Sequence, residues 1–169
     1  MWETEVESKE VSMGFALSQM SVTSPAFESR GSIPARHTGE GADVSPELVW
    51  SNPPEGTKSF AIICHDPDAP LVKPATYGFV HWVLYDIPGS AQSVEEGTAE
   101  GVSGITDFGK QGYGGPMPPE GHGPHHYFFW VLAVDRELGL EPGLTMWDFL
   151  ERAEPHILGM NRIVGVYER

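Results

Sequence analysis

Cysteine occurs once in this chain, at Cys64. A lone cysteine excludes an intrachain disulfide and any thiolate metal cluster. Basic residues are also scarce: 10 Lys and Arg stand against 24 Asp and Glu, for a formal net charge of −14. That balance opposes electrostatic binding to nucleic acid or to anionic membrane, because phosphate backbones require a basic footprint. It does not exclude a small anion site, since a local pocket can differ in sign from the surface around it. Long apolar runs are missing, and none approaches the roughly 18 residues of a membrane span. The start, Met1 to Glu10, is acidic and polar, without the basic and apolar segments of a secretory signal. These absences predict a cytoplasmic protein with no stable membrane insertion. There is no internal repeat and no Gly-x-Ser-x-Gly elbow for a serine nucleophile.

What is present is turn chemistry alternating with short apolar runs. Apolar content of 40% within 169 residues supports a folded core. One domain over 1–169 is expected, with 1–12 as a frayed polar leader. Phe15 to Thr23 alternates weakly and reads as a strand. Residues 24–46 read as a long connection with one short strand near Ile33. Leu48 to Ser51 is a strand closed by Asn52-Pro53-Pro54-Glu55-Gly56. Ser59 to His65 is apolar and branched, and stops at Asp66-Pro67-Asp68-Ala69-Pro70, where two prolines remove ladder donors. Residues 71–77 read as a loop, and Gly78 to Ile87 as the next strand. Residues 89–111 show no periodicity.

From Gly112 the chain is Gly and Pro with little that can pack, then becomes an apolar strand over 125–135. Thr145 is placed to cap a helix, with Asp148 three residues on and Met146, Phe149 and Leu150 as its apolar stripe. Pro155 can open a second short helix, and Ile163 to Tyr167 alternates as a last strand. The rhythm predicts a mostly β fold: an antiparallel two-sheet β-sandwich with one or two short C-terminal helices.

Three pieces carry chemistry: Asp66 and Asp68 in the Pro-flanked turn, His81 inside a strand, and His125 with Tyr127. Phe79 and His81 share one strand face, as do His125 and Tyr127. Each has a bland reading. Asp-Pro turns mostly cap themselves, and a lone strand histidine is more often a satisfied core residue than a ligand. His122 and His126 read as solvent-facing or structural, and Cys64 as an ordinary buried residue. The spacing His122-x-x-His125-His126 fits no closed zinc pattern.

Taken together, Asp66-Pro67-Asp68-Ala69-Pro70, His81-Trp82-Val83 and Gly115-Pro116-x-Pro118-Pro119-x-Gly121-x-Gly123-x-His125-x-Tyr127-x-Phe129 resemble the phosphatidylethanolamine-binding protein (Raf kinase inhibitor-like) family, its bacterial branch above all. The resemblance runs from about Ser45-Pro46 to the final strand. It implies a two-sheet sandwich with a small pocket at one end for phosphate or a phosphorylated head group. Carried over by motif, the ligand-binding residues are Asp66, Phe79, His81, Pro119, His125 and Tyr127, with no catalytic residue, metal or cofactor. Many members have Arg before the motif tyrosine; His126 stands there in this chain and puts the ion pair to Asp68 in question. The expected activity is binding and not catalysis: recognition of a small anion or phosphorylated ligand by a regulator, whose protein partners would be a kinase or a protease. A homodimer stays open. The alternatives are a small hydrolase using His81 or His125 with Asp66, and a kinase or protease inhibitor acting through its surface.

Overall fold

The computed structural model describes residues 17–70 and 77–169. The expected leader 1–12, the start of the expected strand at Phe15 and nearly all of the loop 71–77 lie outside them. Among the described residues, eight strands form in chain order: β1 (Ser21–Thr23), β2 (Leu48–Ser51), β3 (Ser59–Asp66), β4 (Phe79–Pro88), β5 (Ser93–Val94), β6 (Val102–Ser103), β7 (His125–Val134) and β8 (Ile157–Tyr167). The one α-helix among the described residues, α1, spans Met146–Ala153, and short 3-10 turns occupy Ala35–His37 and Glu154–His156.

Strands β1, β2 and β5 make a three-stranded sheet, and β6-β4-β3-β7-β8 a five-stranded one, all by antiparallel pairing. The central strands are branched and aromatic, which suits a pleated surface buried on both faces. Between the sheets lie Met20, Leu48, Trp50, Phe60, Ile62, Trp82, Tyr127 and Phe129, all buried. Removing each such side chain from water stabilises the fold by roughly 1.5–3 kcal/mol. The opposite face of the large sheet takes α1, whose Phe149 ring stacks on Tyr85 at 5.1 Å. Thr145 caps that helix as expected, its hydroxyl oxygen accepting from the Asp148 backbone N–H at 3.1 Å.

Several boundaries differ from the sequence reading. β8 begins at Ile157 instead of Ile163. Gly159 and Asn161 look like breakers, but each has a structural partner. A side chain at 159 would meet Ser18 Cβ at 2.8 Å, and Asn161 Nδ2 donates to the Met20 carbonyl at 2.5 Å. The aperiodic stretch 89–111 contains β5 and β6, each too short for a period to show. Near Ile33 there is only an isolated bridge, Ser32 to Val166.

One irregularity in β4 matters for the site. Cys64 pairs with Trp82, and the next β3 residue, His65, pairs with Val80. His81 is therefore an extra residue, a β-bulge. The bulge puts His81 and Trp82 on the same inner side of the sheet, where strict alternation would have separated them.

Candidate functional site

In the antiparallel order β4-β3-β7, the end of β3 lies beside the starts of β4 and β7. That neighbourhood collects Asp66, Phe79, His81, His125 and Tyr127 at one end of the five-stranded sheet. Asp66 pairs in register with Phe79. The His81 ring lies 5.0 Å from Phe79 and, edge-on, 5.1 Å from Tyr127.

The buried Asp66 carboxylate is fully engaged. Oδ2 accepts from His125 Nδ1–H at 2.7 Å, and Oδ1 accepts from the Asp68 backbone N–H at 2.8 Å. Asp66 thus orients His125 and does not face a ligand as a bare charge. With its proton on Nδ1, His125 accepts at Nε2 from His122 Nδ1–H at 2.7 Å. His81 donates Nδ1–H to the Gly114 carbonyl at 2.6 Å, and the Gly114 N–H donates back to the His81 carbonyl at 2.9 Å. Burial pushes the His81 pKa down to about 4, against weaker opposing pulls from the Gly114 carbonyl and Asp66, so the ring is neutral at pH 7. Tyr127 completes the cluster. Its hydroxyl is buried and makes no hydrogen bond of good geometry, the Asp66 carboxylate acting on it only weakly. Burial, then the charge of Asp66, push its pKa upward, so it stays protonated.

Around this polar centre the 112–124 loop forms a wall. A side chain on Gly114 would come within 2.5 Å of the Phe108 ring, so only glycine lets that ring close on the loop. Phe108 lies 5.4 Å from His81 and 4.6 Å from Phe79, and is half-exposed. From the other side Tyr113 donates its hydroxyl to the His37 carbonyl at 2.6 Å. Pro119 is exposed at the rim, where its carbonyl closes the turn carrying His122 at 3.1 Å. The exposed His126 donates to Asp68 from its backbone N–H at 2.8 Å and from Nδ1 at 2.7 Å, so the pairing with Asp68 that the sequence put in question is made here by a histidine. Burial raises the Asp68 pKa, but the His126 hydrogen bonds outweigh it and hold the group below the usual carboxylate range.

Five of the six residues expected from the sequence are thus gathered, with Pro119 at the edge. Sequence reasoning missed Phe108 and His122. Phe108 lies in the stretch without periodicity, so nothing in the pattern singled it out. His122 carried a usable signal, its three-residue spacing from His125 across Gly123 and Pro124. Among the described residues, no three His, Cys, Asp or Glu side chains converge to hold a metal. Elsewhere, an apolar groove of about 260 Å³ lies between α1 and the outer face of the large sheet, lined by Ile63, Trp130, Leu132, Met146 and Trp147 among others. It lacks convergent polar groups.

A family model described as phosphatidylethanolamine-binding protein matches residues 23–168. The chain belongs to the phosphatidylethanolamine-binding protein family. A UPF0098 protein of Aquifex aeolicus is 44% identical over 157 residues, with 89% of each chain covered. One from Methanothermobacter thermautotrophicus is 41% identical, over 89% of this chain and 99% of the relative. Among solved structures, a putative phosphatidylethanolamine-binding protein homolog from Chlamydia trachomatis superposes with a TM-score of 0.83 at 32% identity, covering 89% of this chain and 97% of that one. Escherichia coli YbcL, described as a new member of the mammalian family, gives 0.81 at 32% identity, covering 90% and 99%. Family membership and the sandwich fold therefore agree with the reading of the motifs. No helix among the described residues is long and apolar enough to cross a membrane.

Proposed function

We propose that this member of the family is a binding protein for phosphate-like anions, and that its pocket is the cluster of Asp66, Phe79, His81, His125 and Tyr127 with Pro119 at the rim. The observation that carries the reading is the buried Tyr127 hydroxyl, which makes no hydrogen bond of good geometry. A buried, unsatisfied donor costs roughly 1–3 kcal/mol, and a ligand oxygen would remove that cost. His125, held by Asp66, and His81, held by the loop, flank it as two imidazoles whose Nδ1–H is already given away, so each can donate to an anion from Nε2 only by taking up a proton. Binding is then coupled to proton uptake, and affinity falls as pH rises. In a cytoplasmic setting this suits a regulator that recognises phosphorylated groups, whether a head group or a modified kinase.

The hydrolase alternative has less support. It needs His81 or His125 as a base beside Asp66, but Asp66 is held by His125 and His81 donates to the Gly114 carbonyl, and Cys64 is no substitute nucleophile, being fully buried with its thiol pKa pushed up. The test is NMR titration with inorganic phosphate at pH near 6 and near 8, for the wild type and His125→Ala. Tighter binding at the lower pH is expected. His125→Ala loses a charge-assisted hydrogen bond of about 1.5–3 kcal/mol, hence roughly tenfold or more in affinity. Equal affinity at both pH values, or wild-type affinity in His125→Ala, overturns the proposal.

A further inference from the structure

Both ring nitrogens of His125 are occupied in the free protein. Nδ1 is bound to Asp66, and Nε2, the nitrogen left for a ligand, meets His122 Nδ1 at 2.7 Å. The two rings lie 4.9 Å apart at 60°. Nitrogens at that separation leave no room for a ligand atom between them. His125 is 1% exposed, whereas His122 is an exposed loop residue. On either side of His122, Gly121 and Gly123 have φ of +73° and +87°, with open space where a side chain would be. These are residues whose backbone can turn at little steric cost. From this arrangement we infer that His122 is a displaceable cap on His125: an anion reaches His125 Nε2 only when His122 swings out.

The inference rests on the anion-binding reading for its consequence, while the shielding of His125 stands on the contact alone. A cap that must open lowers apparent affinity by the fraction of time it is open. One net hydrogen bond corresponds to about a two- to tenfold change in affinity. Removing His122 should therefore tighten binding, which is opposite to the effect expected of a residue that contacts the ligand.

Two measurements on the full chain test this, each with wild type and His122→Ala, a substitution at an exposed site. The first is the rate at which diethyl pyrocarbonate modifies His125, read by mass spectrometry with no ligand present. The second is titration with inorganic phosphate. The cap predicts several-fold faster modification of His125 in the variant and a two- to tenfold lower dissociation constant for phosphate. Unchanged modification overturns the cap. Faster modification with weaker phosphate binding also overturns it and makes His122 a ligand donor. Faster modification when neither protein binds phosphate overturns the anion-binding reading, and supports the shielding of His125.

Discussion

The buried, neutral His81 makes a definite claim about acid stability. In the folded chain its pKa is pushed down to about 4 by burial. In the unfolded chain it reverts to about 6.5. Between those values the unfolded state holds a proton that the folded state does not, so stability rises with pH across the window. The stabilising contribution is complete above about pH 6.5 and is lost as pH falls through about 4. At roughly 1.4 kcal/mol per pH unit, the window is worth about 3 kcal/mol at most. The perturbation is His81→Gln, which keeps an N–H to offer the Gly114 carbonyl but cannot titrate. Urea unfolding followed by the fluorescence of the buried Trp50 and Trp82 gives the stability of both proteins from pH 7 to pH 4.5. The variant starts from a lower stability at neutral pH, because it loses ring packing against Phe79 and Tyr127. Its decline with acid should be shallower than that of the wild type, and the gap between the two curves should narrow by on the order of 2–3 kcal/mol. Parallel curves would refute the reasoning, since they would mean that His81 titrates alike in both states.

Tyr127→Phe should separate stability from binding. It removes a buried hydroxyl that makes no hydrogen bond of good geometry, so urea unfolding should show a stability unchanged or raised by about 1 kcal/mol. Phosphate titration of the same variant should show weaker binding, and an unchanged affinity would remove Tyr127 from the site. Cys64 should react slowly with Ellman's reagent in the native protein, because it is fully buried and its thiol pKa is raised; rapid labelling without denaturant contradicts this.

The fold was legible wherever a strand is buried on both faces. Ser59 to Asp66 and His125 to Val134 are apolar runs between turn signals, and each emerged within a residue of its observed end. β8 was legible only in its last half. Its outer face is half-buried and mixes polar residues with apolar ones. Arg162 lies there with its guanidinium 4.9 Å from the Trp130 ring, a placement that hydropathy cannot anticipate. For the candidate site, strand alternation correctly paired Phe79 with His81 and His125 with Tyr127. It could not reveal that Asp66 spends both oxygens on orientation, because that depends on where the Pro67–Pro70 turn sends the Asp68 N–H. Nor could it reveal the neutral state of His81, which follows from how completely the loop covers the ring.

The bulge in β4 makes the candidate site separable from its scaffold. The ladder is in register on both sides of His81: Val80 faces His65 and Trp82 faces Cys64. A chain shortened by that single residue would join two already matched stretches, with Val80 and Trp82 alternating outward and inward as a plain strand requires. It would keep its sheet and lose its imidazole. One inserted codon in the opposite direction could equip a plain sheet with a buried histidine without disturbing the pairing on either side. On this architecture, acquiring or discarding the buried histidine is a small step in sequence space that leaves the sheet as it is.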